Sequence, residues 1–157
     1  MSIAGDRGRS ARARGAPDGI GDADVARILI ADDDEAIRWL VRRAIESSGD
    51  RLKVVAEAVD GTEAVRAWRE SQPDLIVLDH DMPGLTGTEV AGIILGERPE
   101  QAIVIFSGFA TSPDVAAVVD LGVRAVVDKS RLTELPSLIR HTLSPTISIA
   151  GREDRAV

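Results

Sequence analysis

Five short apolar runs alternate with five segments of helical periodicity, and this alternation constrains the fold more than any other feature of the chain. The runs are Ile28–Ala31, Lys53–Ala58, Leu75–Leu78, Ala102–Phe106 and Arg124–Val127. The helical patterns cover about Asp34–Ser48, Gly61–Ser71, Thr88–Gly96, Ser112–Leu121 and Leu132–Leu143. Strands that are apolar throughout, rather than at every second residue, are buried on both faces. Their alternation with helices predicts an α/β fold with a mostly parallel sheet covered on both sides. The punctuation agrees. Asp34 is placed to cap the first helix and Gly49 to follow its end. Pro73 and Pro99 follow the second and third helices, and Pro113 suits the first turn of the fourth. Aromatic residues make up only 3% of the chain, so the core must be built from Ala, Val, Leu and Ile.

The flanks have a different texture. Residues 1–25 are rich in Gly, Ala, Arg and Asp without apolar periodicity and read as a disordered tail. Their arginines at 7, 9, 12 and 14 are available to an acidic partner, or form a solvated leader. Residues 144–157 return to tail composition, which leaves 26–143 as one domain.

Composition removes several function classes. A net charge of −7 argues against a general nucleic-acid binder. With no cysteine there is no disulfide, thiol nucleophile or zinc-thiolate site. His80 and His141 are too few and too far apart for an ordinary histidine metal site. No apolar segment reads as a signal peptide or a membrane span, so a cytoplasmic protein without membrane insertion is expected.

Chemistry collects at the strand ends. The first run delivers Asp32, Asp33 and Asp34, and the third ends at Asp79 in Asp79-His80-Asp81-Met82-Pro83-Gly84. The fourth ends at Ser107 and the fifth is followed by Asp128 and Lys129. In open α/β sheets ligands bind at the carboxyl ends of the strands. Crowded carboxylates repel unless they share a cation or a proton, and hard oxygen ligands point to Mg²⁺. Carboxylates for a metal, one carboxylate to attack phosphorus, and a hydroxyl and an ammonium for the phosphoryl oxygens are the parts of a phosphoryl-transfer site.

In this order the residues resemble the receiver domain of two-component response regulators, over about residues 26–143. The resemblance implies a flavodoxin-like, doubly wound five-stranded sheet in the order 2-1-3-4-5 with five helices. It makes Asp79 the acceptor of a phosphoryl group from a sensor histidine kinase or a histidine phosphotransfer protein. Mg²⁺ would be held by Asp32, Asp33, Asp79 and the backbone carbonyl of Asp81. Ser107 matches the switch hydroxyl and Lys129 the lysine that pairs with the phosphate. Met82-Pro83-Gly84 and Gly87 match the turn after the acceptor.

Four positions stand out against the family pattern. Val126 stands where a switching Tyr or Phe is usual. Ser130 replaces the proline that follows the lysine through a cis bond, so a trans bond is expected. Asp81 and Phe109 occupy positions that often tune phosphate lifetime; Asp81 adds negative charge and Phe109 can shield the phosphate from water.

Beyond the strand ends, Trp39 lies opposite the face Ile37, Val41, Ala44 and Ser48, among Arg42, Arg43 and Glu46. It either lies flat under arginine stems or meets a partner. Trp68 is expected to pack along its own helix, and His80 to face outward. With little chain beyond the fifth helix, a stand-alone receiver is expected, signalling through protein contact. The expected face is helix 4, strand 5 and helix 5, which would serve an unidentified downstream protein or a dimer. Val115, Val118, Val119 and Leu121 give helix 4 more apolar residues than one buried stripe needs. Two rivals are kept: a degenerate receiver that only binds, and a haloacid dehalogenase-like phosphatase with Asp79-His80-Asp81 as its Asp-x-Asp motif. The second is disfavoured by Pro83 and by the acidic cluster coming first.

Overall fold

A computed structural model describes residues 25–144. The expected tails at 1–25 and 144–157 lie outside the described residues but for Val25 and Ser144. Five strands alternate with five α-helices: β1 Ala26–Ala31, α1 Glu35–Glu46, β2 Leu52–Ala58, α2 Gly61–Ser71, β3 Leu75–Leu78, α3 Gly87–Glu97, β4 Ala102–Ser107, α4 Pro113–Asp120, β5 Ala125–Asp128 and α5 Leu135–Leu143. All strand pairs are parallel, in the order β2-β1-β3-β4-β5. The fold class and strand order are those expected from the sequence.

Alternate residues of each strand feed two cores. Leu29, Ala31, Ile76, Leu78, Ile103 and Ile105 pack with α2, α3 and α4. Ile28, Ile30, Leu75, Val77, Val104 and Phe106 pack with α1 and α5. The central strands β3 and β4 are buried at every position, which explains why their sequences are continuous apolar runs.

Local chemistry sets the helix ends. The Asp34 carboxylate accepts from the amides of Ala36 and Ile37, at 2.8 and 3.3 Å, so it caps α1 as expected. Thr86 and Glu89 close a capping box at the start of α3. The fifth helix departs from the sequence reading. Residues 129–134 form a 3₁₀ segment, interrupted at Arg131, and α5 begins only at Leu135. The Asp128 side chain accepts from the Ser130 amide at 2.8 Å and starts this turn. Ser48, placed on the buried face of α1 by periodicity, lies beyond its end and is exposed, as is Leu40 at 39%. The buried face is Val41 and Ile45, with Ile37 beside them. No cis peptide bond occurs among the described residues, so Lys129–Ser130 is trans.

Candidate phosphoacceptor site

The parallel order brings the ends of β1 and β3 side by side, with Ala31 paired to Leu78. Asp32 and Asp79 are the next residues on each strand. Both are buried, at 2% and 4% exposure, whereas Asp33 is exposed. Asp32, Asp33 and Asp79 each offer a carboxylate oxygen within 4.8 Å of the others. Asp81 is exposed, and its backbone amide favours the charged form of the Asp79 carboxylate.

From the other side comes Lys129, at the end of β5. Its Nζ lies 2.7 Å from Asp32 Oδ2 and 3.3 Å from Asp79 Oδ1. The ammonium thus spans the two buried carboxylates, which would otherwise repel in a medium of low polarity. Burial pushes the Asp79 carboxyl up to about 6; the Asp32 charge adds to this, and Lys129 and the Asp81 amide oppose it. For Lys129 burial disfavours the charged form, but bonds and charge attraction to Asp32 and Asp79 outweigh it and hold its pKa above the usual lysine value. One ammonium therefore does not fully offset two buried carboxylates. The three aspartates are the oxygen donor set a divalent cation takes, and the residual charge favours one there.

Ser107 ends β4 and is fully buried. Its Oγ accepts from the Phe109 amide at 3.1 Å, while the Phe109 ring is 71% exposed. Val126 is half-buried and packs against the core under α4. The segment after Asp79 is held by two close backbone approaches. A Cβ built on Gly87 would lie 2.7 Å from His80 Cα, and one on Gly61 would lie 2.5 Å from Leu85 Cβ. The Gly87 amide donates to the His80 carbonyl at 2.8 Å. Each contact needs a residue without a side chain.

His80 corrects the sequence reading. It is buried at 8% exposure, and its Nδ1 lies 3.2 Å from Thr88 Oγ1. The turn back to Gly87 folds α3 over it, which a strand-end residue does not reveal by itself. Trp39 is 58% exposed with Arg43 over its ring at 5.6 Å. Arg42 instead pairs with Glu46 and Glu57. Trp68 is buried, and its Nε1 donates to Gln101 at 2.9 Å.

Arg38 was missed by sequence reasoning. Its Nη1 donates to the Asp32 carbonyl at 2.9 Å. The available signal was a cation in the first turn of α1, where the helix dipole disfavours positive charge.

The family model of the response regulator receiver domain matches residues 28–140. Protein-glutamate methylesterase/protein-glutamine glutaminase 3 of Hahella chejuensis is 33% identical over 119 residues, which are 74% of this chain and 34% of that protein. Transcriptional regulatory protein LiaR of Bacillus subtilis is 32% identical over 115 residues, 73% of this chain and 54% of that protein. The chain thus spans about a third to a half of these relatives. The crystal structure of the response regulator domain of Thermotoga maritima CheB aligns with a TM-score of 0.71 at 28% identity, covering 77% of this chain and 98% of that one. No described helix is long and apolar enough to cross a membrane. The phosphatase reading is set aside, since Asp79 follows the third strand instead of opening the fold. With its receiver match running from within β1 into α5, and its fold aligned to a solved response regulator domain, the chain belongs to the response regulator receiver domain family.

Proposed function

We propose that this chain is a phosphoacceptor of a two-component phosphorelay, taking a phosphoryl group on Asp79 from a histidine kinase or histidine phosphotransfer protein. The observation that carries this reading is the Lys129 ammonium spanning Asp32 and Asp79 beside the exposed Asp33. An Asp79 carboxylate oxygen attacks phosphorus. The bond to the donor imidazole nitrogen breaks as the new one forms, and the electron pair leaves with the imidazole. Asp32, Asp33, Asp79 and the Asp81 carbonyl would hold Mg²⁺, which when bound neutralises phosphoryl oxygens. Lys129 pairs with a further phosphoryl oxygen, and the Ser107 hydroxyl turns from the Phe109 amide to donate to another. Asp81 and Phe109 stand at the rim, where charge and shielding tune hydrolysis. The chain is in this reading a signalling protein whose only turnover is its own phosphorylation and dephosphorylation.

Output runs through protein contact at α4, β5 and α5, to a partner or a second copy. This is supported by α4, where Val115 and Val118 are buried but Val119 and Leu121 are 57% and 44% exposed. Trp39, on the helix beside the acidic loop, serves donor docking.

The test is labelling with a small acyl phosphate and Mg²⁺, read by intact mass. The expected result is one added phosphoryl group, absent in Asp79→Asn and after chelation. A binding-only receiver would stay unlabelled and show no spectral change with beryllofluoride and Mg²⁺, and that pair of results would refute the proposal.

A further inference from the structure

Asp32 uses every polar atom it has. Its amide donates to the Ala58 carbonyl at 3.1 Å. Its Oδ1 accepts from the Asp34 amide at 2.9 Å, and its Oδ2 faces Lys129 Nζ at 2.7 Å. Its carbonyl accepts from Arg38 Nη1 at 2.9 Å. Of these partners, Arg38 alone comes from the body of α1. Asp34 caps that helix, and the Arg38 amide donates to the Asp34 carbonyl at 3.0 Å. The acidic turn is therefore a closed ring: Asp34 starts the helix, and one turn later Arg38 reaches back to Asp32, the residue that follows the strand. Asp33, the exposed member of the carboxylate cluster, sits inside this ring with Asp32 and Asp34 fixed on either side.

A half-buried guanidinium in the first helical turn, beside a site for a cation, is electrostatically misplaced twice. It opposes the helix dipole and it repels the metal. Its carbonyl bond gives it a geometric role that offsets both. We infer that Arg38 is a positioning residue for the divalent-cation site, holding the β1–α1 turn so that Asp32 and Asp33 present their carboxylates together. This deepens the phosphoacceptor reading above and rests on it.

The two roles open to Arg38 predict opposite signs. As a bystander charge, its removal would tighten Mg²⁺ binding. As the residue that orders the turn, its removal weakens binding, and partners that orient metal ligands are typically worth roughly ten-fold or more in affinity. The experiment is calorimetric titration of the full chain with Mg²⁺, comparing wild type, Arg38→Ala and Arg38→Lys at a temperature where circular dichroism shows all three folded. We expect Arg38→Ala to bind roughly ten-fold more weakly, and Arg38→Lys, which keeps one N–H donor and the charge, to recover most of the loss. Without metal, amide exchange at Asp34 should be faster in Arg38→Ala, because the acceptor of its hydrogen bond is no longer held. Wild-type or tighter Mg²⁺ affinity in Arg38→Ala overturns the inference and leaves the phosphoacceptor reading intact. A wild-type protein that does not bind Mg²⁺ overturns both.

Discussion

Gly87 lies directly against Asp79: a Cβ added to the glycine would meet the Asp79 carbonyl oxygen and, at 2.7 Å, His80 Cα. Both atoms are backbone, so no side-chain rotation can relieve the clash. Gly87→Ala should push the loop carrying Asp79 away from Lys129, costing roughly 1–3 kcal/mol of stability by overpacking and slowing acyl phosphate labelling. Gly92, in the same helix with nothing within 4 Å, supplies the control. Gly92→Ala should stabilise by about 0.5–1 kcal/mol through helix propensity, with labelling unchanged. Urea unfolding and intact-mass labelling of both variants check this; equal behaviour of the two would contradict it.

A second prediction follows from the raised Asp79 carboxyl. Folding lifts it from the ordinary 3.8 to about 6, mainly by burial. A carboxyl raised on folding lends stability that is fully present below its unfolded value and lost as pH rises through the folded one. In metal-free protein the Asp79 contribution is therefore lost between about pH 4 and pH 6, by on the order of 2–3 kcal/mol. Asp79→Asn removes the titration. Its stability should fall less over this window than that of wild type, and it should be the more stable protein at pH 7.5 in chelator. Added Mg²⁺ should stabilise wild type more than the variant. Denaturant midpoints at pH 4.5 and 7.5 decide it, and parallel pH profiles would dismiss the idea.

Most of the fold and site was legible because both are written in strand ends. The run Leu75–Leu78 is buried at every residue, and runs of this kind announce parallel central strands whose C-terminal residues must converge. Asp34 was legible as a cap because an N-cap is a local event. Less visible were the contacts made by folding back. His80 is buried because Gly87 brings α3 over it, and Arg38 reaches Asp32 through the helix turn. The fifth helix starts three residues later than its apolar pattern, which already includes Leu132, because Asp128 winds residues 129–134 into a 3₁₀ segment. Periodicity registers which residues face the core, and Leu132 does pack there; it does not register the hydrogen-bond pattern.

Trp39 gives a third prediction, about the donor. The ring is 58% exposed under Arg43, and a stacked arginine at the surface is worth about 0.5–1 kcal/mol. Trp39→Ala should therefore change stability by less than about 1 kcal/mol and leave labelling by acyl phosphate unchanged, since that donor needs no docking surface. Transfer from a phosphorylated histidine protein should slow markedly, because a large exposed aromatic is a common anchor of interfaces. Stopped-flow transfer kinetics make the comparison. If transfer proceeds at the wild-type rate, the docking role is wrong.

The readout of phosphorylation gives the fourth. Val126 has no ring to turn inward, and among the described residues it lies half-buried against the α4 side of the core. If Ser107 turns toward a phosphoryl group as proposed, the bond that changes is the one it accepts from the Phe109 amide. The Phe109 carbonyl in turn accepts from the Ser112 amide at 2.9 Å, and Ser112 caps α4 by accepting from the Val115 amide at 3.3 Å. Withdrawing the Ser107 hydroxyl would therefore loosen a short chain of bonds that ends at α4, which carries the exposed Val119 and is followed by the exposed Leu121. Backbone amide shifts on adding beryllofluoride and Mg²⁺ should be larger at residues 108–115 than at 125–127. Ser107→Ala, which lacks the acceptor from the start, should show the loop shifts without the ligand and respond little to it. A wild-type response centred on Val126, with Phe109 and Ser112 unmoved, would rule out this route.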